Sequence, residues 1–151
     1  MSTLKAQLES DLRDAMKARD ELVTSTLRMT IAAVRTAEVS GKQARELTDD
    51  EVLGVLTREA KKRREAATAF GDAGRADSAA KELAEEEIIA RYLPAQLSDE
   101  ELASIVAEAL STGGFAGPAQ MGPAMKAAQG AVAGRAEGGR VAAEVRRQLT
   151  G

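Results

Sequence analysis

The sequence predicts an all-α protein, and three observations lead to that prediction. Alanine-rich segments with apolar residues at helical spacing make up much of the 151 residues, and these residue types favour helix over strand. Glycine and proline are sparse before about residue 110. No segment has the alternating apolar and polar residues of a convincing strand. We therefore expect about four helices in the first part of the chain and three in the last part.

The first two helices are predicted from apolar residues that recur every three or four positions. One set begins at Leu4 and reaches Ala15, and the next runs from Val23 to Val34 after the charged junction KARDE. The second helix is apolar around much of its circumference. We therefore expect it to lie between other helices rather than on the surface.

The third helix starts at a capping signal and ends in a glycine segment. Thr48 suits the N-cap, and Glu51 at the third helical position would complete a capping box. The helix then runs through VLGVLTREAKKRREAATAF and stops at GDAGRAD. A fourth helix follows and reaches about Arg91, carrying the acidic run Glu85–Glu87.

The stretch YLPAQLSDEEL predicts a joint between two domains. Pro94 lacks an amide hydrogen and disfavours helical geometry at the preceding residue, so the fourth helix should end shortly before it. Ser98 then offers an N-cap, with Glu101 placed to complete a second capping box. A single helix kinked at proline would not need a second start signal. We predict an N-terminal helical domain at 1–93 and a C-terminal three-helix domain at 94–151.

Glycine-rich turns separate the three helices of the C-terminal domain. We expect the first helix to run from Ser98 to about Leu110, before the turn TGGFAG. The second should begin at or near Pro123, since proline suits the first helical position. The last should be VAAEVRRQL, after the loop AGRAEGG.

The composition excludes several classes of site. The chain has no cysteine and no histidine, which removes disulfides, thiolate metal sites and Ser-His or Cys-His nucleophiles. Neither glycine-rich turn of the C-terminal domain, TGGFAG or AGRAEGG, matches the pattern of a phosphate-binding loop. Consecutive carboxylates such as Glu85–Glu87 point about 100° apart on a helix, so they do not converge on one ion without help from another element. We predict no catalytic residue, no cofactor and no metal.

The charged runs are interpreted first as solvated helix faces. In KKRR (Lys61–Arg64), Arg63 can pair with Glu59 one turn earlier, and a phosphate contact is the alternative. The acidic run Glu85–Glu87 is expected to be solvated as well.

Charge and hydropathy bear on location and partners. The N-terminal segment MSTLKAQLESDLRDAMK lacks the apolar core of a signal peptide, and no run approaches the roughly 20 apolar residues of a membrane span. We therefore predict a soluble cytoplasmic protein without a membrane partner. The net charge is -3, so a nucleic-acid partner would have to be met by a local patch.

Five cations in the C-terminal domain are the candidate nucleic-acid contacts: Lys126, Arg135, Arg140, Arg146 and Arg147. Neighbouring glycines would let a phosphate backbone approach Arg135 and Arg140. A scattered solvated surface is the alternative interpretation. Aromatic residues make up only 2% of the chain, so RNA would be recognised by its backbone and shape rather than by base stacking.

Segments spread in order along the whole chain carry a resemblance to a known family. They are AMKARD (Ala15–Asp20), TLR (Thr26–Arg28), AAVRTAE (Ala32–Glu38), LTDDEV, REAKKRREA, FGDAGRAD, YLPAQLSDEEL, MG with a following methionine, and GRAEGGRVAAEVRRQL. Together they resemble the YqeY family, also called GatB/YqeY domain proteins. In that family an N-terminal helical domain is joined to a three-helix tail similar to the C-terminal domain of the B subunit of glutamine-dependent aminoacyl-tRNA amidotransferase.

The resemblance implies a partner more than a reaction. The amidotransferase tail is associated with the body of tRNA, so the segment from about Leu97 onward is expected to bind tRNA or structured RNA, or a protein of the tRNA amidation or charging machinery. A label of carbon-nitrogen ligase with glutamine as amido donor would rest on the tail alone. The family usually has Asp-Met-Gly-Lys where this chain has Gln120, Met121, Gly122 and Pro123, which changes the charge at the start of a tail helix.

Three function hypotheses follow. The first is an accessory protein that binds tRNA or a charging assembly through its C-terminal domain, without catalysis of its own. The second is a protein-interaction module that docks through Met121, Met125 and Phe115, although the two methionines are first expected to fill the core. The third, an amide-transfer enzyme, is disfavoured because no pair of nucleophile and base is visible in the sequence.

Overall fold

A computed structural model describes residues 2–151, and over that range the chain forms helices and no strand. The seven α-helices are α1 (Thr3–Ala18), α2 (Glu21–Glu38), α3 (Asp49–Asp72), α4 (Ala76–Ala90), α5 (Asp99–Gly113), α6 (Met121–Val132) and α7 (Gly138–Thr150), with a 3-10 turn at Pro118–Gln120. The prediction of an all-α protein is confirmed. Contacts group the helices into two compact units, the first ending at Leu93 and the second formed by Pro94–Gly151. That these units are separate folding domains stays a prediction.

The core of the first unit surrounds α2. This helix contacts α1, α3 and α4, and its residues Leu27, Ile31 and Val34 are buried. The expectation that α2 lies between other helices is therefore confirmed. Its circumference is not fully covered, however, because Leu22 and Met29 remain exposed.

The carboxylate of Asp49, at the start of α3, is hydrogen-bonded to the start of α1. Asp49 accepts hydrogen bonds from the Ser2 and Thr3 hydroxyls, both at 2.6 Å, and from the Leu4 amide at 3.1 Å. These donors, the two hydroxyls first, lower the pKa of Asp49 to about 2. The predicted capping box at Thr48 is present beside it.

The charged faces of α3 and α4 differ from the sequence prediction. Arg63 is only 6% exposed and Glu85 only 5% exposed, so neither lies on a solvated face. Their Nε and Oε2 atoms are 3.4 Å apart, and Arg63 Nη1 lies 3.2 Å from Glu59 Oε1, which is the pairing expected from the spacing. The prediction was wrong for Arg63 and Glu85 because α3 packs against α4, and one-dimensional spacing does not reveal which helix covers which face.

The second unit is built from three apolar stripes with a spacing of about one helical turn. The stripes are Leu102, Val106 and Leu110 on α5, Ala124, Ala128 and Val132 on α6, and Val141, Val145 and Leu149 on α7. Helix α6 begins at Met121, near the predicted start at Pro123, but it places Pro123 at the third rather than the first helical position. The missing amide hydrogen is tolerated there because the first four amides of a helix lack intrahelical partners. The predicted start of α7 was wrong, since that helix begins at Gly138, three residues before VAAEVRRQL.

Candidate nucleic-acid interface

The start of α5 is held by a complete capping box. The Ser98 hydroxyl accepts from the Glu101 amide at 3.1 Å, and the Glu101 carboxylate accepts from the Ser98 amide at 3.0 Å. The Ser98 amide is the main reason why the pKa of Glu101 lies below its ordinary value, with a smaller contribution from the charge of Arg135. Two of the candidate cations lie close to this capped end of α5.

Arg140 connects the first turn of α7 to the start of α5. Its Nη2 donates to the Leu97 carbonyl at 3.0 Å and to Asp99 Oδ1 at 2.9 Å. The Asp99 side chain is 98% exposed while that of Arg140 is 34% exposed, so the ion pair itself adds little stability. The bond to the carbonyl matters more, because it fixes one helix end against another.

Arg135 caps the C-terminus of α6 with its own side chain. Its Nε donates to the Val132 carbonyl at 3.0 Å and its Nη2 to the Ala131 carbonyl at 3.2 Å. A cation at this end also complements the helix dipole. The Arg135 carbonyl accepts from the Leu97 amide at 2.7 Å, so Arg135 and Arg140 both contact Leu97, two residues before α5.

The other three candidate cations lie on the outer faces of α6 and α7. Arg147 pairs with Glu144, with Nε and Oε2 2.7 Å apart, and this contact lowers the pKa of Glu144 and raises that of Arg147. Lys126 and Arg146 are exposed, and within the described part of the chain their charged groups have neither an ion pair nor a hydrogen bond. The structure thus divides the five candidates: three hold intramolecular contacts, and two present an uncompensated charge to solvent.

A groove of about 550 Å³ between α5 and α6 adjoins Arg135. Its walls include Ile105, Phe115 and Ala127, with Glu108 as the other charged residue. This volume falls in the range of pockets that hold ligands or apolar side chains of a partner. Sequence reasoning missed the groove, since its alanines have the same helical spacing as core residues.

Met121 and Met125 are half-buried and pack against the core of the second unit together with Phe115. The expectation that the methionines fill the core is thus met in part, because each also keeps some surface. No group of three or more histidine, cysteine or acidic side chains within residues 2–151 is arranged to hold a metal ion. None of the helices over that range combines the length and apolar character that a membrane crossing requires.

Comparison with known proteins gives the chain a family. Residues 5–149 match the family described as Yqey-like protein. The chain is also 35% identical over 96 residues to the uncharacterized protein C22F3.15 of Schizosaccharomyces pombe, a match that covers 64% of this chain and 76% of the yeast protein. Because the family match covers nearly the whole sequence, from the first helix into the last, the chain belongs to the YqeY family.

Proposed function

We propose that the protein is a non-catalytic RNA-binding accessory protein of the cytoplasm, and that its second unit contacts the phosphate backbone of tRNA or another structured RNA. The observation that carries the proposal is the pair Lys126 and Arg146, whose charges are exposed and have no partner within the described residues. Such side chains can neutralise phosphates without first breaking an internal contact.

Two further features support a backbone contact. Arg140 and Arg147 use only part of their donors internally, since each guanidinium has five N–H groups. The exposed residues of α6 and α7 include no tryptophan or tyrosine, which favours recognition of shape and charge over base stacking. The resemblance to the amidotransferase tail points to tRNA, or to a protein of the tRNA amidation or charging machinery that holds tRNA.

The test is a binding titration against deacylated tRNA at several salt concentrations, with the double variant Lys126→Gln/Arg146→Gln. Each phosphate contact contributes about 0.7–0.9 to the slope of log K against log salt, so losing two contacts should reduce the slope by about 1.5. The control is Arg58→Gln/Lys81→Gln, which changes two exposed cations of the first unit by the same total charge. An affinity that is independent of salt, or an equal loss in both variants, would contradict the proposal.

We infer that the chain does not itself catalyse the carbon-nitrogen ligase reaction with glutamine as amido donor, since the resemblance to the amidotransferase is confined to the tail of its B subunit. Release of ammonia from glutamine by the purified protein alone would show that it is an enzyme instead.

A second candidate function is a protein-interaction module, and the groove between α5 and α6 favours it. The groove has a largely apolar wall that includes Phe115, with Arg135 and Glu108 as its charged residues. Binding of an apolar side chain there would require no RNA. Partners that remain bound after ribonuclease treatment and are lost in an Ala109→Arg variant, which fills the groove, would support this function over the first.

A further inference from the structure

A second basic feature lies in the first unit, where α1 and α2 leave a groove of about 230 Å³ between them. Three arginines line it: Arg13 from α1, and Arg28 and Arg35 from α2. All three side chains are exposed. None of them was among the cations singled out from the sequence.

The two helices place these arginines on the groove by their periodicity. Arg28 and Arg35 are seven residues apart, which is two helical turns, so they lie on one face of α2 with Ile31 between them. Ile31 is 4% exposed and forms part of an apolar floor, while Met16 on the α1 side is 48% exposed at the rim. The groove therefore has an apolar floor and positively charged sides.

The charges of the groove are not balanced from within. Glu9 is the one carboxylate among the lining residues, and its Oε1 lies 3.8 Å from Arg35 Nη2, a long and exposed contact that contributes little. The charged groups of Arg13 and Arg28 form no ion pair or hydrogen bond with any described residue. The chain as a whole has 24 carboxylates for 21 cations, so three arginines around one carboxylate are a local reversal of its charge.

We propose that the groove between α1 and α2 is a phosphate-binding site. Among the lining residues, three guanidinium groups and one carboxylate leave about two positive charges. That charge suits one phosphate monoester of about -1.5 to -2 at neutral pH, or two singly charged diester phosphates of an RNA backbone. The planar fork of arginine donors fits phosphate oxygens in pairs, and arginine recognises phosphate in this way in many proteins. The phosphate could come from the backbone of an RNA or from a free phosphorylated compound, since arginine donors bind the phosphate oxygens of both in the same way.

The test titrates the full chain with inorganic pyrophosphate at low ionic strength and follows the arginine Nε–Hε signals by NMR. The variant Arg13→Gln/Arg28→Gln should weaken pyrophosphate binding about tenfold or more, since the loss of even one hydrogen bond to a charged group accounts for about that factor. Both side chains are exposed, so the variant should keep its fold. The control Arg58→Gln/Lys81→Gln has the same net charge and should bind within about twofold of the unaltered chain.

A second arm repeats the comparison with deacylated tRNA and identifies the source of the phosphate. If Arg13→Gln/Arg28→Gln weakens tRNA binding and the control Arg58→Gln/Lys81→Gln does not, an RNA backbone occupies the groove. If it weakens pyrophosphate binding alone, the ligand is a small phosphorylated compound. The proposal is overturned if the variant binds both probes as the unaltered chain does, or if the control loses as much affinity.

This inference does not rest on the RNA-binding role proposed for the second unit. Lys126→Gln/Arg146→Gln measured with both probes separates the two. That variant should lose tRNA affinity and keep pyrophosphate binding. A chain that binds pyrophosphate through Arg13 and Arg28 but does not bind tRNA would retain the groove and exclude the RNA proposal.

Discussion

The buried ion pair between α3 and α4 should be replaceable by apolar side chains of similar size. Arg63 and Glu85 are 7% and 6% exposed at their side chains, and their closest charged atoms are 3.4 Å apart. The Nε of Arg63 makes no hydrogen bond within the described residues. Because an ion pair offsets the cost of desolvation only when its geometry is excellent, this pair is not expected to be a net source of stability.

The single variants should nevertheless be strongly destabilised. Arg63→Met leaves the carboxylate of Glu85 buried without its cation, and removing one partner of a buried pair typically costs about 3–5 kcal/mol. Glu85→Leu should cost about 3 kcal/mol, at the lower end of that range. The reason is that Arg63 keeps Glu59, whose Oε1 lies 3.2 Å from Nη1.

The double variant Arg63→Met/Glu85→Leu should recover most of that loss. Neither charge is then buried, and Glu59 keeps Lys62 at 3.1 Å as a partner. We expect its free energy of unfolding to lie within about 1 kcal/mol of the unaltered chain, since well-packed apolar residues often replace a buried pair at no cost.

The assay is a double-mutant cycle by urea unfolding, followed by helical circular dichroism. Amide hydrogen exchange of α3 and α4 assigns the change to the first unit. Single variants that lose less than about 1 kcal/mol would show that water reaches the pair. A double variant that is destabilised by the sum of the two singles would show that the apolar replacements do not pack, and either result would refute the reasoning.

Three other predictions concern stability. Ser98→Ala removes the cap of α5 and should cost about 1 kcal/mol, measured by urea unfolding and by faster amide exchange in the first turn of that helix. Ala133→Gly should stabilise the second unit by up to about 1 kcal/mol. Ala133 has a φ of 52°, which costs an L-residue roughly 1–2 kcal/mol, and part of that gain is lost because glycine loses more chain entropy on folding. A lower midpoint of urea unfolding in the variant would contradict this. The pKa of Asp49 is lowered from 3.8 to about 2, so the contribution of this carboxylate to the stability of the fold is complete above about pH 4 and is lost as the pH falls towards 2. The variant Asp49→Asn should therefore show a smaller change in the free energy of unfolding over this pH range.

Local signals in the sequence predicted the fold well because the physics of helix ends is local. The capping boxes at Thr48 and Ser98 each depend on a hydroxyl and a carboxylate three residues apart, and both are formed as predicted. The start of α7 was missed since Gly138 and Gly139 favour a loop locally. Tertiary packing of Val141, Val145 and Leu149 instead holds the whole segment in a helix.

The environment of each charge could not be predicted in the same way, because it depends on which helices pack together. The run KKRR contains an exposed Lys61 and a buried Arg63 only two positions apart. The groove between α1 and α2 combines Arg13 with Arg28 and Arg35, residues whose shared location depends on how the two helices pack against each other. The sequence prediction selected cations that are close together along the chain. In the structure, cations that are far apart in sequence lie on one surface.

Internal partners decide how a loss of RNA binding should be interpreted. Arg135 caps α6 and Arg140 bonds to the Leu97 carbonyl, so neutralising these two would weaken the second unit as well as any phosphate contact. A fall in affinity would then have two causes that one titration cannot separate. Lys126 and Arg146 have no such internal bond among the described residues, so we expect their removal to leave the fold unchanged and a change in the salt slope to report on phosphate contacts alone. The unpartnered cations, rather than those nearest the glycine-rich turns, are therefore the residues on which the RNA-binding proposal should be judged.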